Sequence, residues 1–172
     1  MKRIFTSVAL GLSLLVASGG VGFSQSFQKG ETAYEKRDYR TAFKEWLPLA
    51  EKGNVTAQWF IGSLYENGRG VTQNYPLALK WYQIAAQNDQ ALAQQSNGQA
   101  MAQQSLGFMY QSGSGVIQDK VYAHMWFNIA ASNGAHLAIQ ARDITASMMT
   151  PTDISRAQRL ARACVAKHYK GC

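Results

Sequence analysis

The chain has 172 residues, of which 47% are hydrophobic, and it carries a net charge of +7 at neutral pH. A chain of this length corresponds to about one domain, which can bury a core without heavy cross-linking by its two cysteines. The positive balance favours acidic partners or an anionic surface.

The N-terminus has the three-part layout of a secretory signal peptide. Lys2 and Arg3 precede an uncharged stretch over residues 4–17, and small residues lead to a predicted cleavage after Ser24. An N-terminal membrane anchor is the alternative, but this stretch is shorter than the ~20 residues of a spanning helix. Cleavage would leave 148 residues with 15 basic and 10 acidic side chains, a net charge of +5. We therefore expect a periplasmic or secreted protein, without stable membrane insertion and without a nucleic-acid partner.

Four residues of types that cap helix N-termini set a regular frame, and each is followed four residues later by alanine. They are Asp38, Asn74, Asp119 and Asp153. Their spacings are 36, 45 and 34, and the longest contains a near-duplication in which residues 91–96 return nine positions later as residues 100–105. We interpret residues 91–99 as an insert in a regular array. It forms either a break with a turn at Asn97-Gly98 or the start of a longer helix kinked there.

The two middle units repeat each other in detail at an offset of 45. The shared positions of the first unit are Ala57, Gly62, Tyr65, Gly68, Gly70, Val71, Ala78, Trp81, Ala85 and Ala86. In the first helix, Ala57, Ile61 and Leu64 lie on one apolar face, and Gly62 predicts a close approach by a neighbouring helix. Gly68 and Gly70 predict positive φ angles where the chain leaves that helix. A period of 34 to 36 with this pattern indicates stacked helix pairs.

These residues resemble the Sel-1-like repeat, a relative of the tetratricopeptide repeat with a longer loop between its helices. The resemblance covers Leu64-Tyr65, residues 68–71 and residues 81–86, and it returns over residues 102–134. It implies an all-α fold, a short α-solenoid, and a protein-binding scaffold without catalysis, metal or cofactor. The expected units are a tetratricopeptide-like helix pair at 25–53, Sel-1-like repeats at 54–90 and 100–134, and a capping helix pair at 135–172.

Cys164 and Cys172 are eight residues apart, and export would place them where disulfides form. A continuous helix would hold them ~12 Å apart, beyond the ~7 Å limit for a bridge. If they pair, the last helix must end near residues 167–169 and the chain must fold back through Gly171. We interpret the two cysteines as a disulfide that holds the C-terminus, and two free or intermolecular thiols are the alternative.

Motifs for catalysis are weak. Ser26 and Lys29 match a Ser-x-x-Lys pattern of penicillin-recognising enzymes, but they stand at the predicted mature N-terminus without the companion motifs. His124, His136 and His168 are scattered without metal-ligand spacing, and we expect them to be partly exposed helix residues. Some cysteine-rich exported proteins of the Sel-1-like family are linked with β-lactams, so a β-lactam-binding or hydrolysing protein is the alternative function. This chain lacks their repeated cysteine pairs.

The resemblance implies that the first helices of successive units line a concave binding surface. The partner-binding residues expected there are Gln58, Trp59, Ser63, Gln103 and Gln104. Trp59 lies opposite the apolar face of its helix, where it either forms a binding hot spot or packs on neighbouring helices.

Arg156, Arg159 and Arg162 are spaced to lie roughly on one side of the last helix. They form either a docking patch for an acidic partner or envelope polymer, or an ordinary solvated face. The partner is expected to be a protein or another component of the cell envelope.

Overall fold

The computed structural model describes residues 18–88 and 97–172, with side chains from residue 24 onward. These residues form eight α-helices and no strand. The helices are α1 (Ser18–Glu35), α2 (Tyr39–Glu51), α3 (Val55–Asn67), α4 (Tyr75–Ala86), α5 (Gly98–Ser112), α6 (Lys120–Ser132), α7 (His136–Ser147) and α8 (Pro151–Ala166). From α1 to α7, consecutive helices pack on one another, and α3 also packs on α5. The predicted all-α fold, a short solenoid of stacked helix pairs, is confirmed.

Three of the four predicted helix N-caps are confirmed. The side chains of Asp38, Asn74 and Asp119 each accept a hydrogen bond from the backbone N–H three residues later, at 3.1, 2.9 and 3.1 Å. Asp153 does not cap α8. Thr150 is the cap residue: its hydroxyl accepts from the Asp153 N–H and donates to the Asp153 carboxylate. Helix α8 therefore begins at Pro151, and its cap residue, Thr150, lies three positions before the expected one.

A glycine on the first helix of each of the first three pairs receives a buried aromatic ring from the second helix. The pairs are Gly30 with Trp46, Gly62 with Tyr82, and Gly107 with Phe127. A Cβ atom would lie 2.6 Å from the Tyr82 ring at Gly62 and 2.5 Å from the Phe127 ring at Gly107. This confirms the close approach predicted at Gly62. The missing side chain is what lets the two helices of a pair interlock around a fully buried ring.

The last two helices depart from this packing, because α7 and α8 each pack mainly on α6 rather than on each other. At the position of the interlocking glycine, 36 residues after Gly107, α7 carries Asp143. The preceding residue, Arg142, stands where α3 and α5 have the fully buried Ile61 and Leu106. Helix α7 therefore offers neither the gap nor the apolar contact, and α8 has no aromatic residue to insert. Helix α8 buries its apolar side against α6.

The C-terminus is held by a disulfide between Cys164 and Cys172, whose Cα atoms are 5.6 Å apart. Helix α8 ends at Ala166, and Tyr169 and Gly171 have φ angles of +61° and +69° that turn the chain back. The predicted pairing and the turn through Gly171 are both confirmed. The bridge joins the last turn of α8 to the chain end, and Tyr169 packs against the main core.

Two predicted segments lie partly outside the described residues. Most of the predicted signal peptide does so, and the expected cleavage after Ser24 falls within α1, so that residues 25–35 of this helix would remain. Of the predicted insert, residues 91–96 are not described, while α5 begins at Gly98 with Asn97 in the cap position. A Cβ atom at Gly98 would lie 2.8 Å from the backbone of Thr56, so α5 begins against the start of α3.

Candidate interaction surface

The first helices of the middle and last units, α3, α5 and α7, share a face that stays accessible along the array. Equivalent positions are 45 residues apart between α3 and α5 and 36 residues apart between α5 and α7. At three of these positions the side chains of any one helix point within ~60° of one another around its axis. We call these nine residues, all half-buried or exposed, the first-helix face: Thr56, Met101 and Leu137; Trp59, Gln104 and Gln140; Ser63, Phe108 and Ile144. A hydrogen bond from Gln111 Nε2 to Thr145 Oγ1, at 3.5 Å, joins α5 to α7 beside this face.

Two residues expected on this surface, Gln58 and Gln103, are instead buried. Gln58 Nε2 donates to the Ala50 carbonyl at 3.0 Å, and Gln103 Nε2 donates to the Ala86 carbonyl at 3.3 Å. Both carbonyls are in the last turn of the preceding helix, where they lack a partner within the helix. The expectation that these two glutamines contact a partner protein is therefore wrong, because their amides tie each unit to the one before it.

The repeated glutamine could have been recognised from the sequence, since Gln58 and Gln103 share the 45-residue offset. The next equivalent position, in α7, carries Ile139, which is partly exposed. Gln103 Oε1 also accepts from Asn133 Nδ2 at 2.8 Å, and Asn133 Nδ2 lies 3.2 Å from the Tyr169 hydroxyl. The buried amide of α5 is thus linked through Asn133 to the disulfide-closed C-terminus.

Trp59 lies on the first-helix face and also packs on its neighbours. Its ring centroid is 4.8 Å from that of Phe60, and its Nε1 donates to Ser105 Oγ of α5 at 3.2 Å. Phe60 in turn stacks on Trp46 of α2 at 4.0 Å, so Trp59 is linked to α2 through Phe60. Half-buried, Trp59 joins α3 to α5 and leaves part of its ring on the surface.

Ser63 and Gln104 are half-buried on the same face, as expected. The apolar end of this face was not among the predicted partner-binding residues. Phe108, Leu137, Ile144 and Met148 are all exposed, Leu137 to 67% and Ile144 to 60%. Leu137, Ile144 and Met148 follow one another by seven and four positions along α7 and its C-cap residue, a helical spacing that could have signalled them. They were not predicted because α7 lacks the repeat motifs from which the other residues of this surface were inferred.

Arg156, Arg159 and Arg162 are all exposed on α8, whose other side is buried through Ala157, Ala161 and Cys164. Their expected positions on one side of the last helix are therefore confirmed. This surface belongs to a second helix of a pair and is separate from the first-helix face.

Buried titratable groups lie inside the array. His124 is buried, contrary to the expectation of partial exposure, and its Nδ1 has no hydrogen-bond partner among the described residues. Burial, and then the positive charge of Arg142, lower the pKa of His124. Burial raises the pKa of the Tyr82 hydroxyl, which donates to Glu66 at 2.6 Å, and the Glu66 charge adds to this effect.

Within residues 18–88 and 97–172, no three His, Cys, Asp or Glu side chains come together as a metal-binding group. No helix in the same ranges is long and apolar enough to span a bilayer.

Comparison with known proteins identifies the repeats. The Sel1 repeat family matches residues 55–90 and 100–134. The chitin synthase regulator SKT5 of Saccharomyces cerevisiae (strain ATCC 204508 / S288c) is 42% identical over 59 residues, which cover 34% of this chain and 8% of that protein. The crystal structure of c5321, a protective antigen of uropathogenic Escherichia coli strains that displays an SLR fold, matches with a TM-score of 0.74 and 26% identity. That match covers 86% of this chain and 30% of c5321.

The chain thus spans less than a third of the length of either protein. The recurring glycine–aromatic pairs and the buried glutamines lie within the matched repeats or their flanking helices. The chain therefore contains two Sel1 repeats, at residues 55–90 and 100–134, within a Sel1-like repeat (SLR) fold.

Proposed function

We propose that this chain is a non-catalytic scaffold of the cell envelope that binds another protein along the first-helix face. The observation that carries the proposal is the exposed apolar end of that face, formed by Phe108, Leu137 and Ile144, together with the exposed Met148 at the end of α7. Large apolar side chains left exposed in this way mark interaction sites in proteins, because water contact with them is unfavourable.

The make-up of the face suggests how a partner would bind. Trp59 and Phe108 are aromatic and partly accessible, as interface anchors commonly are. On the same face, Gln104 and Ser63 offer polar groups that could orient a bound segment. We expect a partner segment whose apolar side chains contact α7 and whose backbone or polar groups meet the glutamine and serine of α3 and α5.

A location in the cell envelope rests on the predicted signal peptide together with the disulfide, because stable disulfides form mainly in oxidising compartments. SKT5 is a chitin synthase regulator and c5321 is a protective antigen. A regulatory role toward an envelope protein would parallel the description of SKT5.

The test is a crosslinked capture experiment with tagged protein in an envelope extract of the source organism, followed by mass spectrometry. The test variant is Leu137→Asp with Ile144→Asp, which places two charges on the apolar end of the face. The matched control is Ile117→Asp, because Ile117 is 90% exposed in the loop between α5 and α6 and away from this face. Circular dichroism establishes that each variant is folded.

We expect the unmodified protein and the Ile117→Asp variant to retain the same partner in stoichiometric amount, and the double variant to lose at least nine-tenths of it. The proposal is wrong if the double variant retains as much as the control, or if no protein is retained by the unmodified chain.

A further inference from the structure

The net charge of the chain is concentrated at its C-terminal end. Residues 25–150 carry ten basic and nine acidic side chains, whereas residues 151–172 carry five basic side chains and one acidic side chain. That acid, Asp153, accepts a hydrogen bond from the Thr150 hydroxyl at 2.7 Å in the first turn of α8. The C-terminal end therefore creates a local positive field, whereas the charges of residues 25–150 nearly cancel.

Helix α8 directs this charge outward. Its buried side packs on α6 through Ala157, Ala161 and Cys164. Arg156, Arg159 and Arg162, which we call the arginine stripe, are exposed on the remaining surface, and each lies one helical step of about 4.5 Å along the axis from the next. No carboxylate of the described residues forms an ion pair with the stripe.

The residue type narrows the ligand chemistry. All three positions of the stripe are arginine, whose planar guanidinium binds a carboxylate through two parallel hydrogen bonds. Acidic residues three or four positions apart on a partner helix would present carboxylates at a matching interval.

An anionic membrane fits the stripe less well than an acidic protein segment does. Peripheral helices bind membranes by inserting an apolar side, and the apolar side of α8 is buried against α6. Val165 is the large apolar side chain of α8 that stays exposed, at 46%.

From the charge distribution and the exposed arginines, we propose that the arginine stripe of α8 is a docking site for a carboxylate-rich segment of a partner protein. This site is independent of the first-helix face, since it lies on a different helix that packs on α6.

The probe is a fluorescently labelled 20-residue synthetic helix with glutamate on one face, titrated against the purified protein. The test variant is Arg156→Gln with Arg159→Gln and Arg162→Gln. The control variant is Lys29→Gln with Lys36→Gln and Lys80→Gln, which removes the same charge from exposed lysines of α1, α4 and the turn after α1. A third variant replaces the three arginines with lysine.

We expect the stripe variant to bind the peptide at least tenfold more weakly than the unmodified protein, and the control variant to change the Kd by less than twofold. The lysine variant should lose about threefold, since an ammonium group binds a carboxylate without the two-point geometry. Raising the salt concentration from 50 to 300 mM should weaken peptide binding to the unmodified protein.

Three results would overturn the proposal. One is equal loss in the stripe and control variants, which would mean non-specific attraction. Another is no binding of the peptide to the unmodified protein. The last is binding to phosphatidylglycerol vesicles that exceeds binding to the peptide and depends on the stripe, which would assign α8 to a membrane surface. Because none of these variants alters the first-helix face, a failure here leaves the proposed scaffold function standing.

Discussion

Replacing Gly107 by alanine tests whether the glycine–aromatic pairs set the spacing of the helices. Two effects favour the alanine: a gain of about 1 kcal/mol in helix propensity and about 0.8 kcal/mol from a buried methyl group. Against them, the new Cβ would lie 2.5 Å from Phe127, whereas carbon atoms in contact are ordinarily ~3.5–4.0 Å apart. The ring or the helix must therefore move by about 1 Å.

Phe127 has little room to move. It is fully buried, and its ring meets that of Phe108 edge-on at a centroid distance of 4.9 Å. Overpacking a core site typically costs about 1–3 kcal/mol as a net effect. We expect Gly107→Ala to lower the free energy of unfolding by about 1–2 kcal/mol, which corresponds to a fall in Tm of roughly 2–8 °C for a domain of this size.

Urea and thermal unfolding followed by circular dichroism measure this loss. The same substitution in a Phe127→Leu background separates the ring contact from other effects, because leucine leaves space for the new methyl group. There the alanine should be neutral or stabilising. The reasoning is refuted if Gly107→Ala alone is as stable as the unmodified protein, or if its cost is the same in both backgrounds.

Two further predictions concern titration and redox state. The folded-state pKa of His124 is lowered below its usual value of about 6.5, so this histidine stabilises the fold above that pH and the contribution is lost as the pH falls toward the folded pKa. Urea unfolding should therefore show stability declining from pH 7 to pH 5, with a shallower decline in His124→Gln; equal slopes would contradict the effect of burial. Cys172→Ser should lower the free energy of unfolding by about 2–3 kcal/mol, since the disulfide closes a short loop. A reducing agent should reproduce this loss in the unmodified protein and change the variant no further, and a Tm insensitive to reduction would disprove it.

Several features of the fold followed from local chemistry that the sequence displays directly. Helix caps at Asp38, Asn74 and Asp119 depend on a side chain and a backbone N–H three residues away. The positive φ angles at Gly68 and Gly70 depend on the absence of a Cβ atom. Such interactions are complete within one turn or one loop. The same residue types therefore predict the same local structure in both units that the 45-residue offset relates.

The candidate site was predicted less well, because a helix periodicity does not say which neighbour covers which face. Gln58 and Gln103 look like surface residues in the sequence, yet each amide reaches a carbonyl of the preceding helix. His124 was expected at the surface, and its burial follows from the position of α6 between α5 and the last two helices.

The sequence by itself determined the solenoid of helix pairs, the three aspartate and asparagine caps and the disulfide, since each depends on a motif or a short spacing. Only the tertiary structure decided how the array ends. Helix α7 carries Asp143 in place of the interlocking glycine, and α8 has no aromatic residue that could fill a gap there. Helix α8 packs instead on α6, which directs the arginine stripe into solvent, and Leu137 and Ile144 of α7 stay exposed. Burial is a property of neighbouring helices, and the neighbours are fixed only when the chain has packed.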